Sequence, residues 1–377
     1  MLVGTDCSGI ETPLMALDGL VEFEHVFASE IDKKTRLTLL ANRAPRHIYN
    51  DIRTRTMPPH VDLYIVGFPC QTFSSVGLRA GEADPRGQIF NHVSEYIQTM
   101  KPKMFLLENV ANLLSINGGR CWQTIQAGLH GYTLHHQILN SKDYGLPQSR
   151  KRLYIVGFRE DVGCGPLFTF PLKIDEGWRD CSLIPSYTSL VDLFHSVDRV
   201  TCTPTEREQE NIAVILEKLE GKGRGLDKPI IMNVSQSKAW TRVPPKNVSP
   251  CLKTQCLRLL WWFRRRGRVH TSRLTVRDAR ILQGIPDTFI QNTSNTVAAK
   301  QIGNAMSVSV VRFILKRMLE VFKTNKMDVW SVMDIADLDG QSFEFVREWM
   351  RSTWGQAFID DMLSQPPLPT DEDSDIE

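Results

Sequence analysis

From Met1 to about Arg159, short runs rich in β-branched and aromatic residues alternate with amphipathic stretches. The runs Leu2 to Asp6, His25 to Ser29, Asp62 to Val66, Met104 to Glu108, Leu134 to Leu139 and Leu153 to Phe158 read as strands. Between them, Thr12 to Leu20, Lys33 to Asn42, Gln88 to Met100 and Trp122 to Leu129 carry helical spacing. Strand–helix alternation builds βαβ units, so the fold class expected is α/β, a doubly wound, mixed but mostly parallel, Rossmann-like sheet. Ligands of such sheets bind at the carboxyl ends of the strands. Ser8-Gly9, Glu30, Asp51, Pro69-Cys70 and Glu108-Asn109 each close a strand.

Beyond Glu160 the pattern changes to loops, prolines and isolated aromatics, with one clear helix from Thr205 to Leu219. This predicts a first domain over residues 1–159 and a smaller, irregular domain over 160–271. Helical periodicity then returns over 272–321, a return to the first domain. Residues 322–364 are expected to form a helical extension with Phe343, Val346, Trp349, Met350 and Trp354 on one face, and the proline-rich, acidic 365–377 a disordered tail.

Composition narrows the classes. The 377 residues are 42% hydrophobic, enough for a sizeable core, and 45 basic against 43 acidic residues give a formal charge of +2. Any polyanion must therefore be gripped by a local patch. The longest apolar runs, such as Leu259 to Phe263, fall far short of the ~20 residues a membrane helix needs, and Met1 to Asp6 lacks the basic start of a signal peptide. No membrane partner and an intracellular protein are expected. The eight cysteines contain no CxxC pair, so neither a metal site nor a disulfide framework is expected.

The sharpest segment is Gly67-Phe68-Pro69-Cys70-Gln71-Thr72-Phe73-Ser74, which presents a thiol directly after an apolar strand. A nucleophilic thiol needs its proton removed and a partner that stabilises what it attacks. Glu108, ending the next strand, is that partner by position, although alone it would read equally well as a helix cap. In Gln148-Ser149-Arg150-Lys151-Arg152, extended alternation would point Gln148, Arg150 and Arg152 to one side as a fork of donors. Asp6-Cys7-Ser8-Gly9-Ile10 lies between a strand and a helix, and Glu30 follows about 20 residues beyond Gly9, as suits a carboxylate on a ribose diol. With Asp51-Ile52 next along, three strand ends point to an adenosyl ligand, and the absence of a P-loop argues against ATP.

These segments, taken in order, resemble the cytosine-C5 methyltransferase family over about residues 1–320. The proline-cysteine loop matches Gly67 to Ser74, the Glu-Asn-Val motif Glu108 to Val110, and the Gln-x-Arg-x-Arg motif Gln148 to Arg152. Arg273 to Arg280 with Leu282 to Asp287 looks like the ninth motif, and Gln301 to Ser307 like the tenth. The resemblance implies a class I S-adenosylmethionine-dependent fold with S-adenosyl-L-methionine as donor, S-adenosyl-L-homocysteine as product, and no metal. It implies a flipped-out cytosine in duplex DNA as acceptor, attacked at C6 by Cys70, with Glu108 at N3, Arg152 at O2, and Arg150 and Gln148 in support. Ser8, Gly9 and Ile10 would lie near the methionine part, Glu30 and Ile31 at the ribose, and Asp51 and Ile52 at the adenine. Pro69, Asn304 and Ser307 would complete the donor pocket.

The chain departs from the family's first motif, with Cys7 in place of an aromatic residue and Glu11-Thr12 in place of a glycine pair. By the same resemblance residues 160–271 would be a target recognition domain. There, Trp261-Trp262-Phe263 followed by Arg264, Arg265, Arg266 and Arg268 reads as a buried aromatic strand ending in a basic, DNA-contacting loop, and Ser74 is a further DNA contact. The enzyme is expected to act as a monomer wherever DNA is accessible, in a nucleus or a bacterial cytoplasm, with a possible partner on the extension. Two alternatives stand beside this reading: an RNA cytosine methyltransferase, and a catalytically silent DNA-binding scaffold.

Overall fold

The computed structural model describes residues 1–69, 89–176, 188–237 and 241–324. Its main sheet has seven strands in the order β3-β2-β1-β4-β5-β7-β6. These are β1 (Leu2–Asp6), β2 (Glu24–Ser29), β3 (His47–Tyr49), β4 (Leu63–Val66), β5 (Met104–Val110), β6 (Tyr132–Asn140) and β7 (Lys151–Arg159). The five strands from β3 to β5 run parallel, whereas β7 lies antiparallel to both β5 and β6. The chain reverses direction in sheet order between β1 and β4, the switch point at which doubly wound sheets hold ligands.

Burial explains the parallel half. β1 and β4 are apolar and almost wholly buried because both faces of the sheet are covered. One face packs under α1 (Thr12–Leu17) and α9 (Val308–Thr324), through Val3, Leu14, Leu17, Val311 and Phe313. The other packs under α3 (Ile89–Met100), through Phe27, Tyr64, Phe105, Val93 and Ile97. Helices α2 (Lys33–Asn42) and α4 (Arg120–Ala127) complete the alternation.

The middle of the chain contributes α5 (Leu190–His195), α6 (Glu206–Glu220) and a three-stranded antiparallel sheet. Its strands are β8 (Ile230–Met232), β9 (Leu260–Arg265) and β10 (Arg268–Arg273). Thr205 starts α6 with a reciprocal capping box to Glu208. Strand β9 is a shared wall: Leu260 and Trp262 pack with Ile212, Ile215 and Leu219 of α6, while Trp261 and Phe263 join the large core beneath the main sheet. The side chains alternate because successive residues of a strand face opposite ways. β10 runs to Arg273, two residues past the expected end of the middle segment. After it, α7 (Val276–Gln283), α8 (Asn295–Asn304) and α9 bring the chain back to the main sheet.

Candidate active site

A cleft of about 700 Å³ opens at the carboxyl ends of β1, β2, β4 and β5. Gly9, Glu30, Ile31, Asp51, Ile52, Pro69, Glu108, Arg150, Arg152 and Asn304 line it, so strand ends far apart in sequence converge on one space as the sequence reading expects. Cys70 and Ser74 lie outside the described residues.

At the donor end, the Glu30 carboxylate accepts the Gly9 N–H at 2.9 Å and the Asp32 N–H at 2.8 Å. It is thereby fixed across the tips of β1 and β2, and burial raises its pKa. Gly9 has φ +57° and open space where a side chain would stand, so its backbone is free to approach a ligand. Buried Ile52 and Phe68 supply apolar walls for a flat ring. This combination of an exposed backbone cradle, a pinned carboxylate and apolar walls fits an adenosyl group.

Other expected donor contacts sit differently. Both Asp51 oxygens bond Arg53, through Nη2 at 2.6 Å and Nε at 3.0 and 3.1 Å, and this pairing holds the carboxyl below the usual carboxylate range. Ile10 is buried in the core under α1 and lines no part of the cleft. Ser8 Oγ donates to Thr5 O and accepts the Ser29 N–H, tying β1 to β2, and the residue lines a small cavity beside the cleft. Ser307 is 1% exposed and donates to Gln283 Oε1 at 3.2 Å, so it supports the tenth-motif turn from behind.

At the acceptor end, Glu108 is buried at the end of β5, with Arg152 Nε 3.2 Å from its Oε1. That oxygen has no hydrogen bond of good geometry, so the contact is an ion pair rather than an aligned hydrogen bond. Asn109 Nδ2 donates to Phe68 O at 3.0 Å and fixes the start of the loop that leads through Pro69 to Cys70.

The fork of three donors is not formed. Gln148 is fully buried and donates to Leu282 O at 2.7 Å and Gln283 Oε1 at 2.8 Å, while its own Oε1 accepts the Leu252 N–H. Arg150 is buried too, with Nη1 donating to Leu252 O and Gly303 O and Nη2 to Ala305 O. The physical reason is that β7 begins only at Lys151, and Ser149 before it bridges the Ser249 backbone, so period-two alternation does not extend back to Gln148. Arg152 is the donor of the three that meets Glu108.

The buried pair Asp6–Arg55, completed by Ser29 and Tyr64 hydroxyls, has no counterpart in the sequence reading. It clamps the loop after Asp51 onto the strand ends, and nothing in the local pattern marks Arg55. Asp32 and Lys300, paired at 2.7 Å, bridge α2 to α8 across the cleft, and the sequence reading singled out neither. At Gly303 a Cβ would stand 2.3 Å from the Lys253 carbonyl, so only glycine lets that turn close and brings Thr254 to the cleft wall.

In the middle segment, Arg264, Arg265, Arg266 and Arg268 are exposed around a two-residue turn, Arg266-Gly267, with φ +50° and +76°. Positive φ at both positions is the turn that matches strand twist. Trp261 and Trp262 are buried.

The strand order and the cleft define a doubly wound α/β fold with an open site at its switch point. Residues 6–320 match the family model of the C-5 cytosine-specific DNA methylases, and the chain belongs to that family. It is an enzyme that methylates C5 of cytosine in DNA. It is 33% identical to the Type II methyltransferase M1.ScrFI of Lactococcus lactis subsp. cremoris over 80% of this chain and 73% of that one. It is 31% identical to M.HaeII of Haemophilus aegyptius over 84% and 92%. The fold matches the S. pombe Dnmt2 methyltransferase crystal structure with TM-score 0.56 and 18% identity, covering 85% and 98% of the two chains.

Proposed function

We propose that this enzyme methylates a cytosine flipped out of duplex DNA through a covalent adduct between Cys70 and C6. The observation that carries the reading is the meeting of Glu108 and Arg152 at one wall of the cleft whose other wall is built from Gly9 and Glu30.

Aromatic C5 is a poor nucleophile. Addition of the Cys70 thiolate to C6 turns the ring into an enamine whose C5 is nucleophilic. Glu108 delivers a proton to N3 and accepts a hydrogen bond from the exocyclic amine, which stabilises the charge that develops as sulfur adds. Arg152 holds Glu108 in place and donates to O2. S-adenosylmethionine in the cleft supplies the electrophilic methyl group that C5 takes up. Loss of the C5 proton and departure of the Cys70 sulfur restore the aromatic ring.

The groups placed to hold the donor are the Gly9 backbone, the Glu30 carboxylate and Ile31 at the ribose, Asp51 and Ile52 around the adenine, and Pro69 and Asn304 on the far wall. Arg150 and Gln148 act by pinning the turns at Leu252 and Ala305 rather than by touching DNA. Residues 160–271 read the target sequence, with Arg264, Arg265, Arg266 and Arg268 on the backbone and base edges. Unpairing and unstacking cost a few kcal/mol, offset by contacts inside the pocket. The enzyme works as an intracellular monomer and needs no metal. No helix among the described residues is long and apolar enough to cross a membrane.

The test is transfer of labelled methyl from S-adenosylmethionine to duplex DNA and, in parallel, to total transfer RNA, with Cys70→Ala as the blank. Label in DNA cytosine that disappears with Cys70→Ala is the expected result. Label in RNA alone, or undiminished label with Cys70→Ala, would overturn the reading.

A further inference from the structure

Glu11 takes no part in the chemistry above, yet it is 2% exposed and stands immediately before α1 with φ +60°, a backbone conformation that suits glycine. Its Oε1 accepts the Thr5 hydroxyl at 2.7 Å and lies 3.4 Å from His25 Nε2. Its Oε2 is buried with no hydrogen bond of good geometry, the Ser8 hydroxyl being the polar group beside the carboxyl. A strained backbone holding a half-satisfied buried carboxyl is costly unless a ligand completes it.

The surroundings say what kind of ligand. Glu11 lines a small cavity that adjoins the main cleft, and Gly9, Gly67, Glu108 and Asn304 line both. The charged groups around the small cavity are Asp6, Glu11 and Glu108; no lysine or arginine lines it among the described residues. Asp6 is matched by Arg55 and Glu108 by Arg152, which leaves Glu11 as the carboxyl available to a cation. The titratable groups around Glu11 are His25 of β2, with Nε2 3.4 Å away, and Asp6 and Glu108 on the same cavity; the charges of Glu30 beyond β2 and Arg43 at the end of α2 act on it from further off. Burial pushes Glu11 up to about 8 and His25 down to about 4, so at neutral pH a carboxylic acid sits beside a neutral imidazole.

We propose that Glu11 is a positioning residue that receives the α-ammonium group at the amino-acid end of the methyl donor, releasing its own proton to solvent as it does so. This rests on the reading of the main cleft as the donor site. The new contact is a charge-assisted hydrogen bond between carboxylate and ammonium, and the released proton balances the charge. Glu11 would thus fix the donor from the end opposite Glu30 and hold the sulfonium between them.

Isothermal titration at pH 7 in two buffers of different ionisation heat tests this, with S-adenosylmethionine, S-adenosylhomocysteine and 5′-methylthioadenosine as ligands. The last keeps the nucleoside and lacks the amino-acid end. The unaltered enzyme should release close to one proton with the first two and none with the third. Glu11→Gln and Glu11→Gly should bind the first two roughly tenfold to a hundredfold more weakly, without proton release, and bind 5′-methylthioadenosine unchanged. Equal affinity and equal proton release in enzyme and variants would overturn the proposal while leaving the donor site intact. Loss of 5′-methylthioadenosine binding in both variants would make Glu11 structural and also overturn it. Failure of the unaltered enzyme to bind any of the three would remove the donor reading and this proposal with it.

Discussion

Arg152 pairs in register with Val110, which places it diagonally across the β5–β7 ladder from Glu108 and brings its Nε to 3.2 Å from the Glu108 carboxylate. The antiparallel strand inserted beside β5 therefore has a chemical consequence: it delivers the arginine that a further parallel strand would have carried to the other end of the sheet.

Removing the charge on Glu108 without changing its shape tests that pairing. Glu108→Gln should lower kcat by about 10²- to 10⁴-fold, the usual worth of a placed acid or base, with DNA affinity little changed. Single-turnover methyl transfer alongside a gel-shift titration separates the two. An equal loss in both would place Glu108 in DNA binding instead.

Arg150 should behave in the opposite way. Arg150→Ala leaves the Leu252 and Gly303 carbonyls without their guanidinium partner, while Ala305 O keeps Gln283 Nε2, and each buried unpaired group costs about 1–3 kcal/mol. A fall in thermal midpoint is expected, with whatever enzyme remains folded still able to form the Cys70 adduct. An unchanged midpoint would mean that the buried network contributes nothing to stability.

The exposed arginines of the β9–β10 hairpin should be visible through salt. Each phosphate contact contributes about −0.9 to the slope of log affinity against log salt on duplex DNA. Arg264→Ala and Arg265→Ala should each make the measured slope shallower by about that amount wherever the side chain touches a phosphate. A slope identical to that of the unaltered enzyme would remove the hairpin from the DNA interface.

A pH-dependent prediction concerns Glu208, whose carboxyl is held down at about 2 by the Arg273 guanidinium, with Nη2 2.7 Å away. Its folded value lies below the unfolded one of about 4.3, so the stabilisation is present above that pH and is lost as pH falls toward 2. The pair is partly solvated, so Arg273→Met should cost less than about 1 kcal/mol at neutral pH. Urea midpoints of the two proteins should converge as pH falls from about 5 toward 2; a constant gap would show that Arg273 acts through packing alone.

Much of this was legible in the chain. β1, β4 and β5 announce themselves because a strand buried on both faces reads as an unbroken apolar run, and Glu30 and Glu108 announce themselves by ending such runs. β3 did not, because it is a three-residue edge with His47 and Ile48 exposed. β8 is equally short, and β10 carries arginines that mask its alternation, whereas the buried aromatics of β9 did mark a strand. The inward turn of Gln148 and Arg150 was hidden because their partners, Leu252 to Ala305, lie more than a hundred residues further on. The sequence tells which residues bear charge; it does not tell which of those charges the fold spends on holding itself together.

Strand β9 places Trp262 against the middle segment's own core and its neighbour Trp261 against the core of the main sheet. The part of the molecule expected to read DNA is therefore not a cartridge that lifts out, because its central strand is also a structural member of the catalytic half. New target specificity can be acquired freely at the hairpin tip, where Arg264 to Arg268 project into solvent, but an exchange that replaced the whole segment would have to restore both tryptophan faces at once.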